Sequence, residues 1–150
     1  MIAVSSKTFK DVFLYYKSLH SKCKYIIEAS SGQVCFRSPS YHRIYFNAYL
    51  DTENCGLMHV SGLEVEGIEW DFIFDYILTL AGYLGKSGIL YSASTEQYHL
   101  RKILLKYKFE SLKIGFKNHN SQNNVYFYLR KLTKREYISA QRGYYDYEDY

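Results

Sequence analysis

Apolar residues recur along this chain with two different periods, and the order of those periods sets out a fold. Met1 to Val4 is a short apolar run that reads as a first strand. From Thr8 to about Ser21, Phe9, Val12, Phe13, Tyr16 and Leu19 return at helical spacing, with Thr8 and Asp11 placed like a capping box. Lys10, Lys17 and Lys22 fall off that stripe and mark a solvated face. Lys24 to Ala29 and Val34 to Arg37 read as strands joined by the turn Ser30-Ser31-Gly32-Gln33. Arg43 to Leu50 then alternates strictly: Ile44, Phe46 and Ala48 share one face, Tyr45, Asn47 and Tyr49 the other, as in a half-buried antiparallel strand.

The second half changes period repeatedly. Leu57 to Val65 is extended, Ile68 to Leu84 is a long apolar helix, and Gly88 to Ala93 is a short strand. The helix carries two stripes, Ile73, Ile77, Leu80 and Leu84 on one and Trp70, Phe74 and Leu78 on the other. A helix apolar on several faces is either sandwiched in a core or touches another chain. Gly82, Gly85 and Gly88 end it. Ser94 and Gln97 form a capping box for a second helix, Thr95 to Lys108, with Leu100, Ile103, Leu104 and Tyr107 on its apolar side. Two strands, Leu112 to Lys117 and Asn124 to Leu132, complete the pattern. Strand, helix and parallel strand in one sheet demand a crossover. The fold class is therefore α/β, a twisted mixed sheet with flanking helices.

Composition narrows the class without choosing a function. The chain has 150 residues, 47% hydrophobic and 23% charged, which suits one folded domain. Tyrosine is the outlier, 18 residues against a single proline. A net charge of +4, spread along the chain, gives no reason to expect nucleic acid. Three scattered cysteines and five dispersed histidines follow no metal-ligand spacing. No apolar run approaches the ~20 residues of a membrane span, so a cytoplasmic protein is expected.

After Leu132 the character changes. Residues 133–150 begin with basic Lys134 and Arg135 and end in Tyr144, Tyr145, Asp146, Tyr147, Glu148, Asp149 and Tyr150, with no core periodicity. Residues 1–132 are thus expected to fold as the domain, and 133–150 to be an aromatic, acidic tail that docks onto its own domain or a neighbour.

The order of elements, with Thr95 to Phe109 (TEQYHLRKILLKYKF) and Val125 to Leu132 (VYFYLRKL), resembles the GNAT acetyltransferases. The resemblance implies acetyl-CoA as cofactor, held by an Arg/Gln-x-x-Gly-x-Gly/Ala turn at the start of the crossover helix. The corresponding stretch, Val65-Glu66-Gly67-Ile68-Glu69-Trp70-Asp71, keeps one glycine. Its three carboxylates suit the helix dipole and oppose a diphosphate. In the second helix the family's Asn, small residue, proton-donating Tyr and Gly fall on Gln97, Leu100, Leu104 and Lys108. With those positions lost together, the expectation is a degenerate member without a cofactor: a non-catalytic interaction protein that docks onto other subunits in an oligomeric assembly. A phage or viral particle is its suggested setting. Trp70, Phe74, Tyr144, Tyr145, Tyr147 and Tyr150 are its expected partner-binding residues. The alternative is an N-acetyltransferase with an aberrant turn, in which Glu64 or Glu66 serves as base and Gly67 and Ile68 approach the pyrophosphate.

Overall fold

The computed structural model describes residues 1–67, 69–117 and 124–140, the side chains of 113–117 and 124 excepted. In chain order the elements are β1 (Ile2–Ala3), α1 (Ser6–Leu19), β2 (Ile26–Ser30), β3 (Gln33–Arg37), β4 (Arg43–Leu50), β5 (Leu57–Val65), α2 (Trp70–Tyr83), β6 (Gly88–Ser94), α3 (Tyr98–Lys106), β7 (Glu110–Lys117) and β8 (Asn124–Lys131). Residues 134–140 add a further helix. One eight-stranded sheet runs β2-β3-β4-β5-β6-β8-β7, with β1 paired to the far end of β4. All pairs are antiparallel except β5 with β6, which α2 joins.

The pleat sorts the chain into two faces. Val34, Phe36, Ile44, Phe46, Ala48, Met58, Val60, Ile89, Tyr91 and Ala93 point one way, and each is at most 1% exposed. α1 and α2 pack on this face, Phe9 edge-on to Phe46 and Tyr76 edge-on to Phe36. Tyr76, wholly buried, donates its hydroxyl to the Phe9 carbonyl at 2.7 Å and so locks α2 to α1. α3 covers the far end of the same face, where the Arg101 guanidinium lies 4.2 Å over the Tyr126 ring. The opposite face, with Tyr45, Asn47, His59, Leu90, Phe127 and Leu129, is only half-buried.

Local chemistry accounts for most element ends and corrects two expectations. The cap of α1 is Ser5, whose Oγ accepts the Thr8 N–H at 3.1 Å, and not the Thr8–Asp11 pair. α3 begins at Tyr98, and only half of its expected box forms: Gln97 Oε1 accepts the Ser94 N–H at 3.3 Å. Within 133–150, Thr133 and Glu136 form a reciprocal capping box at 2.8 and 3.2 Å that starts the last helix. That helix docks. Ala140 is 3% exposed against Gly82, Tyr15 donates to the Ser139 carbonyl, and Glu136 pairs with Arg130 at 2.9 Å. Tyr144, Tyr145, Tyr147 and Tyr150 lie outside the described residues.

Candidate active site

β5 and β6 stay in parallel register from Leu57–Gly88 to Ser61–Ser92. One residue later β5 breaks step. Ser61 pairs with Asn47 and Glu64 with Tyr45, so Gly62 and Leu63 together oppose the single residue Phe46. This is a β-bulge with a left-handed glycine, φ +63°. A Cβ on Gly62 would come within 2.5 Å of the Asn47 amide nitrogen, the movable end of that side chain, so it is the positive φ that favours glycine. Beyond the bulge the two strands part at their carboxyl ends, where open α/β sheets admit ligands.

The parting removes the ladder partner of the Leu63 N–H, and a buried orphan donor is costly. Tyr91 of β6 supplies the acceptor, its hydroxyl oxygen 3.0 Å from that nitrogen. The side chain is 1% exposed, and burial pushes its hydroxyl up to about 12 despite the Leu63 and Gln97 hydrogen bonds. The gap therefore holds a phenol that stays protonated at neutral pH.

α2 starts from the same end of β5. The Glu69 side chain does not cap it, and among the described residues no side chain takes the N–H groups of its first turn, at the positive end of its dipole. Gly67 precedes it at φ +90°, where a Cβ would sit 3.0 Å from His42 Nδ1. Packing against the β3–β4 turn thus requires glycine independently of any ligand. Glu66 is turned back to accept the Arg43 N–H at 3.2 Å, and Asp71 accepts the Tyr107 hydroxyl. Glu69 alone stays exposed with no partner among the described residues. Ile68 lies outside the described residues. Glu64 is exposed at the open end of β5 on the half-buried face, opposite Tyr45.

α3 closes the other side with apolar bulk. Leu104 is fully buried and Leu100 is 7% exposed. Phe74, expected to face a partner, is instead 3% exposed, stacked 4.3 Å from Tyr107 and packed on Phe109. Trp70, stacked on Phe74, is half-buried. Lys108 has φ +70°, a conformation that favours glycine, and it falls where the resemblance places one. The backbone keeps the left-handed step although the side chain has changed. Sequence reading missed Gly62 and Tyr91; an isolated glycine inside a strand pattern was the available sign of a bulge.

Other chemistry is sparse. Burial raises the Cys23 and Cys35 thiols, the reverse of nucleophile activation. Among the described residues no three His, Cys, Asp or Glu side chains gather as a metal site, and no helix is long and apolar enough to cross a membrane.

Comparison with known proteins gives a consistent fold. No protein-family model matches the sequence, and no curated protein matches it. Among solved structures, a GNAT-family acetyltransferase from Bacillus cereus ATCC 10987 superposes with TM-score 0.55 at 10% identity, over 88% of this chain and 96% of that one. Ard1 from Thermoplasma volcanium gives 0.55 at 14% identity, over 88% and 96%. A GCN5-related N-acetyltransferase from Brucella melitensis gives 0.55 at 9%, over 76% and 56%. The chain has the GNAT fold, and at these identities the likeness is one of fold.

Proposed function

We propose that this chain, built on the GNAT fold, is an acetyl-CoA-dependent N-acetyltransferase that acylates an amine. The observation that carries the reading is the Gly62 bulge, which parts two parallel strands at the end from which an uncapped helix starts. The first turn of α2, which the chain enters after Gly67, would hold the cofactor's pyrophosphate through backbone N–H groups. Acetyl-CoA would supply the activated thioester, its C–S bond breaking as the amide forms and CoA leaving as the thiol. Glu64 would accept the proton that the incoming amine must lose, because Glu66 is tied to the β4 backbone. Tyr91 contributes a protonated hydroxyl inside the gap.

Calorimetric titration with acetyl-CoA tests this reading. Micromolar binding, about −8 kcal/mol, with acetyl transfer to an amine supports it; binding weaker than about millimolar without turnover overturns it.

A second reading has its own support. Leu104 is fully buried where the family's proton donor falls, and Tyr91 already takes the N–H that the parting frees. These favour a scaffold that does not transfer an acyl group. A failed titration separates it from the first.

A further inference from the structure

A cavity of about 610 Å³ opens between α1, α2 and the helix at 134–140. It lies on the outer side of α2, beyond the face whose Ile73, Ile77 and Leu80 pack on the sheet. Its size is that of a small-molecule site. One wall is aromatic: Tyr16 and His20 of α1 stack at 4.3 Å with 25° between their rings. Leu78 of α2 and Ala140 of the last helix add apolar surface.

Two opposite charges line this cavity, Asp75 from α2 and Arg135 from the last helix. Neither belongs to any of the ion pairs among the described residues, which are Lys7–Asp11, Arg37–Glu28, His59–Asp51 and Arg130–Glu136. The adjoining Glu136 is thus already committed to Arg130, and also to the Thr133 N–H. Burial raises the Asp75 carboxyl; His20 opposes that, and Asp71 and Glu136 add to it. The carboxylate sits where a cation would relieve it.

We propose that this cavity binds a small zwitterion, an α-amino acid with an apolar side chain, its ammonium on Asp75 and its carboxylate on Arg135. A lone amine would leave the guanidinium unmatched, and a lone carboxylate would leave Asp75 so. Charge-assisted contacts of both signs set the orientation, while Tyr16, His20 and Leu78 face the apolar side chain. The site is separate from the parting of β5 and β6 and does not rest on acetyl transfer.

Thermal unfolding of the full chain tests the proposal, with L-leucine and L-phenylalanine as ligands and 2-phenylethylamine and 3-phenylpropionate as single-charge controls. The amino acids should raise the midpoint with concentration, as a ligand that binds only the folded state does, and the controls should not. Asp75→Asn and Arg135→Gln should each weaken the effect by about tenfold or more. Their midpoints without ligand check that both variants fold. Titration followed by the NMR resonances of Tyr16 and His20 locates the ligand. No stabilisation by either amino acid overturns the proposal. So does equal stabilisation by the amine, indifference to either substitution, or shifts that bypass His20.

Discussion

The hydroxyl of Tyr91 stands in for a missing strand: it accepts the Leu63 N–H at 3.0 Å where β5 has left β6. One residue of β6 thus fastens the bulge of β5 across the gap. Tyr91→Phe keeps the ring and removes the acceptor, leaving a buried donor unpaired. We predict a loss of about 1–3 kcal/mol in urea unfolding. An unchanged midpoint would mean that water or another group reaches Leu63.

Ile77, 1% exposed on the inner stripe of α2, tests the main core. Ile77→Ala should cost about 2–5 kcal/mol as a large-to-small truncation. A cost under roughly 1 kcal/mol would refute tight packing of that stripe.

Lys108 is expected to respond in the opposite direction. Its φ of +70° strains an L-residue, and the side chain is exposed. Lys108→Gly should therefore stabilise the chain, by up to about 1 kcal/mol once glycine's extra unfolded-state freedom is counted. A lower melting temperature would show that the lysine makes a contact worth more than the strain.

Deletion of residues 134–150 should destabilise the domain. It strips Glu136 from Arg130, whose side chain is only 10% exposed, and uncovers Gly82. With the 29% exposure of Glu136 discounted, the expected loss is about 2 kcal/mol or more. A truncated protein that melts like the full chain would place the domain boundary at 132.

The same carboxylate sets a pH dependence. Burial alone would raise Glu136, but the Thr133 N–H and Arg130 outweigh it and hold it below its ordinary 4.5. A depressed carboxyl binds fewer protons in the folded state, so its contribution is complete above that value and fades as pH falls through the folded one. The stability gap between the wild type and Glu136→Gln should be constant from neutral pH to about 5 and shrink below about 4. Urea midpoints across that range decide it; a gap that survives undiminished at low pH rules out the ionised pair as its source.

Periodic stretches were legible before any coordinates. Leu57–Val65 is a strand over its full expected length, and Ile44, Phe46 and Ala48 are the buried face of β4. The GNAT order of elements was legible for the same reason, since it follows from alternating periods. What escaped was set by contacts distant in sequence. In β8 the buried residues are Tyr128 and Arg130, because their neighbours Tyr91 and Ile89 face the helices; Phe127 and Leu129, more apolar, point to the half-buried side. Phe74 looked available to a partner because nothing in its own helix reveals that Tyr107 and Phe109 cover it. The Thr133–Glu136 box had a readable pattern, but only Tyr137, Ile138 and Ala140 are apolar between it and Gly143, too few to show a helical period. At the site, Tyr91 had no local sign, as its role exists only once β5 bulges.

The strand order has a consequence for how the chain is made. β8 lies between β6 and β7, so β7 emerges from a ribosome before β8, with which it pairs. Until Lys131 is synthesised, β6 can join β5 on one side while its other edge stays bare. Without β8, β6 has a bare edge and β7 lacks its partner, in addition to the β2 edge that the finished sheet keeps, and bare edges invite pairing with another chain. The last hairpin is thus the clasp of the sheet, and its late arrival leaves synthesis, more than the finished fold, exposed to aggregation.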